Sequence, residues 1–298
     1  MTQHLKGAAV SAEIIENIRM KGSSFPGRIR LDVLRMGEKE EDLSYEKAII
    51  KKAEEAGIWI KTHALQPDVT PQQAERLILD LNEDPEVHGV LVFRPLLNPS
   101  VEQRILSTLS PKKDVDGITP LSMAGIFRDD VSAFPPCTAQ ACMKILAYYQ
   151  IPLEGKNVVV LGRSQVIGKP VAMMLLKENA TVTICHSKTK NLEEVVRRAD
   201  ILVSAMGKAR AVTREYLQPG QIVLDVGINF DEQGKLCGDV DWGDADKVVA
   251  AQQFFVLLKG FRYQDLLTVG QEKVSVIIVA FTPHDLVSFQ DVDLLGGG

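Results

Sequence analysis

"VVVLGRSQVIGKP", residues Val158 to Pro170, decides the fold of this chain. An apolar strand runs into a glycine-containing turn, and a helical pattern follows a second glycine. That outline places backbone N–H groups and the positive end of a helix where a phosphate would bind. The stretch is not G-x-G-x-x-G, however. The middle glycine is missing, and Gly162 and Gly168 stand one residue further apart than the fingerprint's outer glycines. Gly162 would allow the tight turn and Gly168 the close helix–strand packing. Ser164, near the missing glycine, offers a hydroxyl, and Arg163 offers a charged fork that suits phosphate. A helix-starting loop with no ligand is an equal alternative on this stretch alone, because short glycine motifs misfire often.

The next strand, in "ATVTICHSKT", ends in His186, Ser187, Lys188 and Thr189. An NAD site would hold the ribose 2′-hydroxyl with an acid there. A carboxylate would repel a 2′-phosphate, whereas a hydroxyl and a cation would bind one. The physical reading is NADP, with NAD left open and a solvated polar loop as the alternative. The following strand ends carry small residues, Gly207 in "SAMGKA" and Gly227 with Ile228 in "DVGIN". Small residues at successive strand ends line the cofactor crevice of such sheets.

Strand-like runs and helical patterns alternate on both sides of this region. Residues 29–35, 59–65 and 89–93 read as strands. Residues 44–56 and 71–81 read as helices, the second opened by Thr70 as cap and Pro71 at its first position. Such β-α alternation predicts a parallel α/β sheet. Residues 111–136, dense in Pro, Gly and Asp, read as loop. A helix over 138–149, capped by Thr138, leads to a linker. A second β-α series then begins at Asn157. The fold class is therefore α/β with two domains and a cleft between them, the usual home of cofactor and substrate. An N-terminal α/β substrate domain spans 1–150, a Rossmann-like parallel-sheet dinucleotide-binding domain spans 151–250, and an atypical tail spans 251–298.

Composition narrows the partners. The chain has 298 residues, 45% hydrophobic and 24% charged, with net charge -5. With no basic arm, nucleic acid is not expected as a partner. The longest apolar run, Val274 to Phe281, is too short to span a bilayer, so no membrane partner is expected. The first eighteen residues read as an amphipathic helix without a signal peptide's apolar core. The four cysteines form no C-x-x-C pair, which predicts a reducing, cytoplasmic setting and no metal site.

Read in order, "GRSQVIGKP", "NATVTICHSKT", "ADILVSAMG", "PGQIVLDVGIN" and "CGDVDW" resemble the bifunctional methylenetetrahydrofolate dehydrogenase/methenyltetrahydrofolate cyclohydrolase family. In the first half, "LNEDPEVHGVLV", "SPKKDVDGIT" and "FPPCTAQAC" resemble that family's folate domain. The likeness runs from about Leu31 to Val249. It implies tetrahydrofolate derivatives as substrates, oxidation of the 5,10-methylene form by hydride transfer to NAD(P), hydrolysis of the methenyl form to 10-formyltetrahydrofolate, and a homodimer. By motif, Tyr45 would stack on the pterin and Asp116 would hold its amino and ring nitrogens; these two are the catalytic candidates, with Pro95 beside them in the substrate site. A carboxylate facing a paired N–H edge is good bidentate chemistry. Asp114 reads instead as a loop residue that bonds its own backbone. Arg163, Ser164 and Ser187 would meet the cofactor's phosphates, His186 would be a further cofactor-binding residue, and Thr138 would lie near its nicotinamide.

Three departures stand out. The family's lysine, four residues after the tyrosine and on the same helix face, is Ile49 here. Its partner glutamine is Phe93. Lys47, Lys51 and Lys52 have offsets that point elsewhere, and Arg94 is another substitute in reach. That lysine serves chiefly the hydrolytic step, whereas hydride transfer mainly needs two rings aligned. Dehydrogenase activity is thus the better-founded expectation and cyclohydrolase the doubtful one. The third departure is the tail, in which the family's Pro-x-Pro-Gly-Gly loop is missing. The full pair of activities, or an impaired NADP- or folate-binding protein, are the alternatives.

Overall fold

The computed structural model describes residues 2–4, 7–23, 25, 27–130, 134–243 and 253–257. Two compact units emerge, dividing at Cys137/Thr138. The division falls between the first two residues of the helix Cys137–Tyr148, rather than at residue 150.

The chain opens with β1 (Thr2–His4) and α1 (Gly7–Gly22), so its first residues are a strand, not the start of a helix. Such a short strand exists only by pairing with a strand some 250 positions away, and no local pattern shows that. The 11–137 unit then runs through β2 (Arg30–Met36), α2 (Glu40–Glu55), β3 (Trp59–Leu65), α3 (Pro71–Glu83), β4 (Gly89–Val92) and α4 (Pro99–Thr108). Its strands form a parallel sheet in the order β3-β2-β4. One face carries Leu34, Met36, Val90 and Val92, packed with Ala74, Ile78, Val101 and Ile105 of α3 and α4. Thr70 closes a capping box with Gln73 at the start of α3, which offsets two orphan donors. The stretch 111–136 is not all loop. It contains a short 3-10 turn at Pro111–Lys113 and the helix α5 (Pro120–Phe127), capped by Thr119, whose hydroxyl accepts from Ser122 N. The helix α6 (Cys137–Tyr148) crosses into the second unit.

That unit contains β5 (Asn157–Leu161), α7 (Gly168–Lys177), β6 (Thr181–Cys185), α8 (Leu192–Arg197), β7 (Ile201–Ser204), β8 (Ile222–Asp225), the hairpin β9 (Asn229–Phe230) and β10 (Leu236–Cys237), and β11 (Gln253–Leu257). Its six-stranded sheet has the order β1-β11-β8-β7-β5-β6 and is parallel throughout. Val158 to Leu161 are all buried, as a strand covered on both faces must be. Order reverses at β5, with β6 on one side and β7 on the other. That switch point is where doubly wound sheets take a ligand, at the carboxyl ends of the strands. From the tail, Gln253–Leu257 lies between β1 and β8; the apolar run Val274 to Phe281 lies outside the described residues. No helix among them is long and apolar enough to cross a membrane.

Candidate functional site

In the 138–257 unit, the turn after β5 sits at the switch point. Gly162 has φ of 121°, a conformation that favours glycine, and a side chain there would overlap the Ala205 carbonyl. Gly168 starts α7, where an added Cβ would stand 2.6 Å from the Gly162 carbonyl carbon. The helix thus presses on the turn, as its glycine spacing implies. Ser164 Oγ accepts from Ile167 N at 3.1 Å and Gly168 N at 3.3 Å. The hydroxyl therefore organises the turn, and keeps one hydrogen to donate. Arg163 and Ser164 are both exposed. This is a cradle that side chains would fill, and it fits a dinucleotide.

The end of β6, paired with β5 through Cys185 and Leu161, carries the next loop. His186 N donates to Thr189 Oγ1 at 2.9 Å, Thr189 N to the His186 carbonyl at 2.8 Å, and Lys188 N to His186 Nδ1 at 3.1 Å. His186 and Thr189 thus close the turn, and Ser187 and Lys188 stand exposed at its tip. Gly207 (φ 65°) sits in the turn after β7, and Gly227 lies buried after β8 with Ile228 46% exposed beside it. Thr138 lies in the first turn of α6, not at its cap, because the helix begins one residue earlier.

In the 11–137 unit, α2 carries Tyr45. The neighbouring Glu46 ties that helix to the sheet: it accepts from Arg35 Nε at 2.7 Å and from the Thr62 hydroxyl. Tyr45 meets the Phe93 ring at 4.9 Å between centroids, tilted by 44°, a contact of about 0.5–1.5 kcal/mol beyond simple burial. Ile49 is buried at 1% exposure and Phe93 at 6%. The positions where the resemblance implies a lysine and a glutamine are therefore apolar core. Lys47 and Lys51 are exposed, and Lys52 pairs with Glu55. Arg94 is bound to Glu102 at 2.9 Å, whose other oxygen accepts from Leu96 N at 2.7 Å. The Arg94–Pro95 peptide is cis, and Pro95 is exposed.

Asp116 hangs on a braced loop. Asn82 and Lys113 grip its approach. Asp114, fully buried, accepts from Ile118 N, Thr119 N and the Ser122 hydroxyl, as a loop-organising aspartate does. Gly117 (φ 59°) presses under residues 134–136, where a Cβ would stand 2.7 Å from the Pro135 carbonyl carbon. Asp116 Oδ1 accepts from Cys137 N at 3.3 Å. Burial pushes the Asp116 carboxyl above its ordinary range. Burial also raises the Tyr45 phenol well above its ordinary value, and the Asp116 charge adds to that. The Cys137 contact went unread in the sequence, since a backbone donor has no residue signature.

Comparison with known proteins settles the lineage. Residues 5–116 match the catalytic domain model of tetrahydrofolate dehydrogenase/cyclohydrolase, and residues 136–253 match its NAD(P)-binding domain model. The chain belongs to the tetrahydrofolate dehydrogenase/cyclohydrolase family. A bifunctional protein FolD of Clostridium botulinum is 44% identical over 254 residues, covering 84% of this chain and 90% of the relative. Another, from Carboxydothermus hydrogenoformans, is 43% identical over the same share of this chain and 88% of its own. Among solved structures, the FolD of Campylobacter jejuni superposes with a TM-score of 0.83 at 33% identity, covering 97% and 98% of the two chains. The Trypanosoma brucei enzyme, crystallised with NADP and an inhibitor, gives 0.79 at 30% identity and covers 96% of each. The two-domain α/β architecture of this family member is thereby that of the FolD structures. The names of these relatives favour the full pair of activities over the expectation of a doubtful cyclohydrolase.

Proposed function

We propose that the protein oxidises 5,10-methylenetetrahydrofolate to the 5,10-methenyl form with NADP as hydride acceptor, and hydrolyses that product to 10-formyltetrahydrofolate. The observation that carries the reading is the glycine cradle at the switch point of a chain whose two halves match the family's catalytic and NAD(P)-binding domain models. Tyr45, an aromatic ring on α2, and Asp116, a carboxylate on a braced loop, are the two groups that would meet a pterin. Asp116 would accept from the pterin's paired N–H edge. Tyr45, backed by Phe93, would stack on its rings. When bound, NADP supplies the electrophilic ring carbon that receives the hydride. Gly162, Arg163, Ser164 and Gly168 would hold its pyrophosphate, with Gly207, Gly227, Ile228 and Thr138 toward its nicotinamide. His186 would shape, and Ser187 and Lys188 present, the donors for its 2′-phosphate. Hydride departure needs no protein base, because nitrogen lone pairs of the substrate stabilise the cation left behind.

A second reading, dehydrogenase with little hydrolysis, is favoured by one observation: Ile49 and Phe93 are buried apolar residues where the family has a lysine and its glutamine. The rate on purified methenyltetrahydrofolate, corrected for spontaneous hydrolysis, separates the two. An enzymic rate well above background upholds the bifunctional proposal, and none leaves the dehydrogenase alone. A homodimer follows from the family likeness and is checked by light scattering. A cytoplasmic setting rests on the free thiols Cys137, Cys142, Cys185 and Cys237, and fractionation of the source cells checks it.

A further inference from the structure

Two buried carboxylates, Asp225 at the end of β8 and Asp239 just after β10, take no part in the contacts assigned above. Asp239 accepts from Ser204 Oγ at 3.0 Å, Met206 N at 2.6 Å, Lys208 N at 2.9 Å and Asn229 Nδ2 at 2.9 Å. Asp225 accepts from Gly227 N at 3.1 Å, from Asp239's own N–H at 2.9 Å and from Val240 N at 3.0 Å. Both are fully buried. Together they gather three separate segments: the turn after β7, the loop after β8, and the residues after β10. Two glycines are shaped to this arrangement. A side chain on Gly227 would overlap the Asp239 carboxylate, and one on Gly238 would overlap that of Asp225.

Adjacent buried acids are costly, since each loses hydration and each repels the other. Burial, with the Asp239 charge adding, raises Asp225 to about 6. Apolar residues could fill the same volume without that penalty. What they could not do is hold N–H groups of loops that have no ladder partner. Those loops form the carboxyl ends of β7 and β8. With the pyrophosphate on the turn after β5 and the adenosine ribose toward β6, the other half of a dinucleotide falls over them.

We infer that Asp225 and Asp239 are positioning residues for the nicotinamide half of the cofactor. The inference rests on the NADP reading above. The two acids act through the loops, holding residues 204–208 and 225–229 in the shape that seats the ring.

The test compares whole NADP with 2′,5′-ADP, which carries only the adenosine side. Both are titrated calorimetrically into the full chain and its Asp239→Asn variant, with kcat and KM measured alongside. The expected result is a fall in kcat of about a hundredfold and weaker NADP binding, with 2′,5′-ADP affinity unchanged. Equal weakening of both ligands, or no change in kcat, overturns the inference. Should Asp239→Asn fail to fold, Asn229→Ala removes a single donor, and it is expected to lower kcat about tenfold with the same split between ligands. An Asn229→Ala chain with unaltered kcat also overturns it. A wild-type chain that binds neither ligand counts against the NADP reading itself, and so is told apart from failure of the positioning role.

Discussion

At the glycine turn after β5, backbone shape prepares the site: Gly162 and Gly168 clear the space, Ser164 pins the amides, and the charged side chains are exposed. Around Tyr45 the reverse holds. There the features are side chains: the Tyr45 ring packs on buried Phe93, Ile49 is buried on the same helix, and the backbone braces the Asp116 carboxylate. A site made from backbone geometry fails when a Cβ is added. A side-chain site can change its chemistry by single substitutions while its fold persists. Ile49 and Phe93 show that second behaviour inside a chain whose fold still matches the family.

The largest effect is expected on the backbone side. Gly168→Ala forces a Cβ against the Gly162 carbonyl, and such overpacking costs about 1–3 kcal/mol. The variant should lose measurable NADP binding by calorimetry while still binding folate. Retained NADP binding would erase the contrast between the two sites.

The two units also titrate differently. Asp225 has a folded pKa of about 6, above the 3.8 of the unfolded chain. The stability it confers is whole below that unfolded value and is lost as pH rises through 6. Asp225→Asn should therefore gain on wild type by up to about 3 kcal/mol between pH 3 and pH 8, read from urea unfolding at a series of pH values. Parallel stability curves would contradict this. On the folate side, the raised Asp116 carboxyl should make the substrate KM climb as pH falls, sooner than an ordinary carboxylate would. Asp116→Asn should flatten that limb and lower kcat/KM about a hundredfold, the scale of lost charged hydrogen bonds.

The smallest effect sharpens the comparison most. Ile49→Lys combined with Phe93→Gln restores the family's pair in a dry setting. The double variant should raise enzymic methenyltetrahydrofolate hydrolysis about tenfold, below the roughly hundredfold or more of a well-placed acid–base group because the pair is set into a dry core, and melt at lower temperature. An unchanged hydrolysis rate in a folded variant would show that those positions do not limit the reaction.

The β-α alternation could be read because buried parallel strands are continuous apolar runs between helical patterns. The helix α4 went unread, although Asn98 and Pro99 carry its cap signal. The helix α5 was hidden in a stretch dense in loop-forming residues, despite Thr119-Pro120 repeating the Thr70-Pro71 signature. The strands β1 and β11 could not be read, because each is defined by a distant partner. The glycine turn was legible for the same reason it is robust: glycine is the residue whose absence of a side chain is the message. Asp225 and Asp239 looked like ordinary acids, since only the folded chain shows what they grip.

The central claim is hydride transfer from a folate to NADP, and the near-ultraviolet absorbance of reduced nicotinamide reads it directly. Purified protein is mixed with 5,10-methylenetetrahydrofolate and either NADP or NAD. Reduction of NADP in preference to NAD, abolished in Gly168→Ala, is the predicted result. No reduction of either cofactor, by a chain that binds NADP and folate, would contradict it.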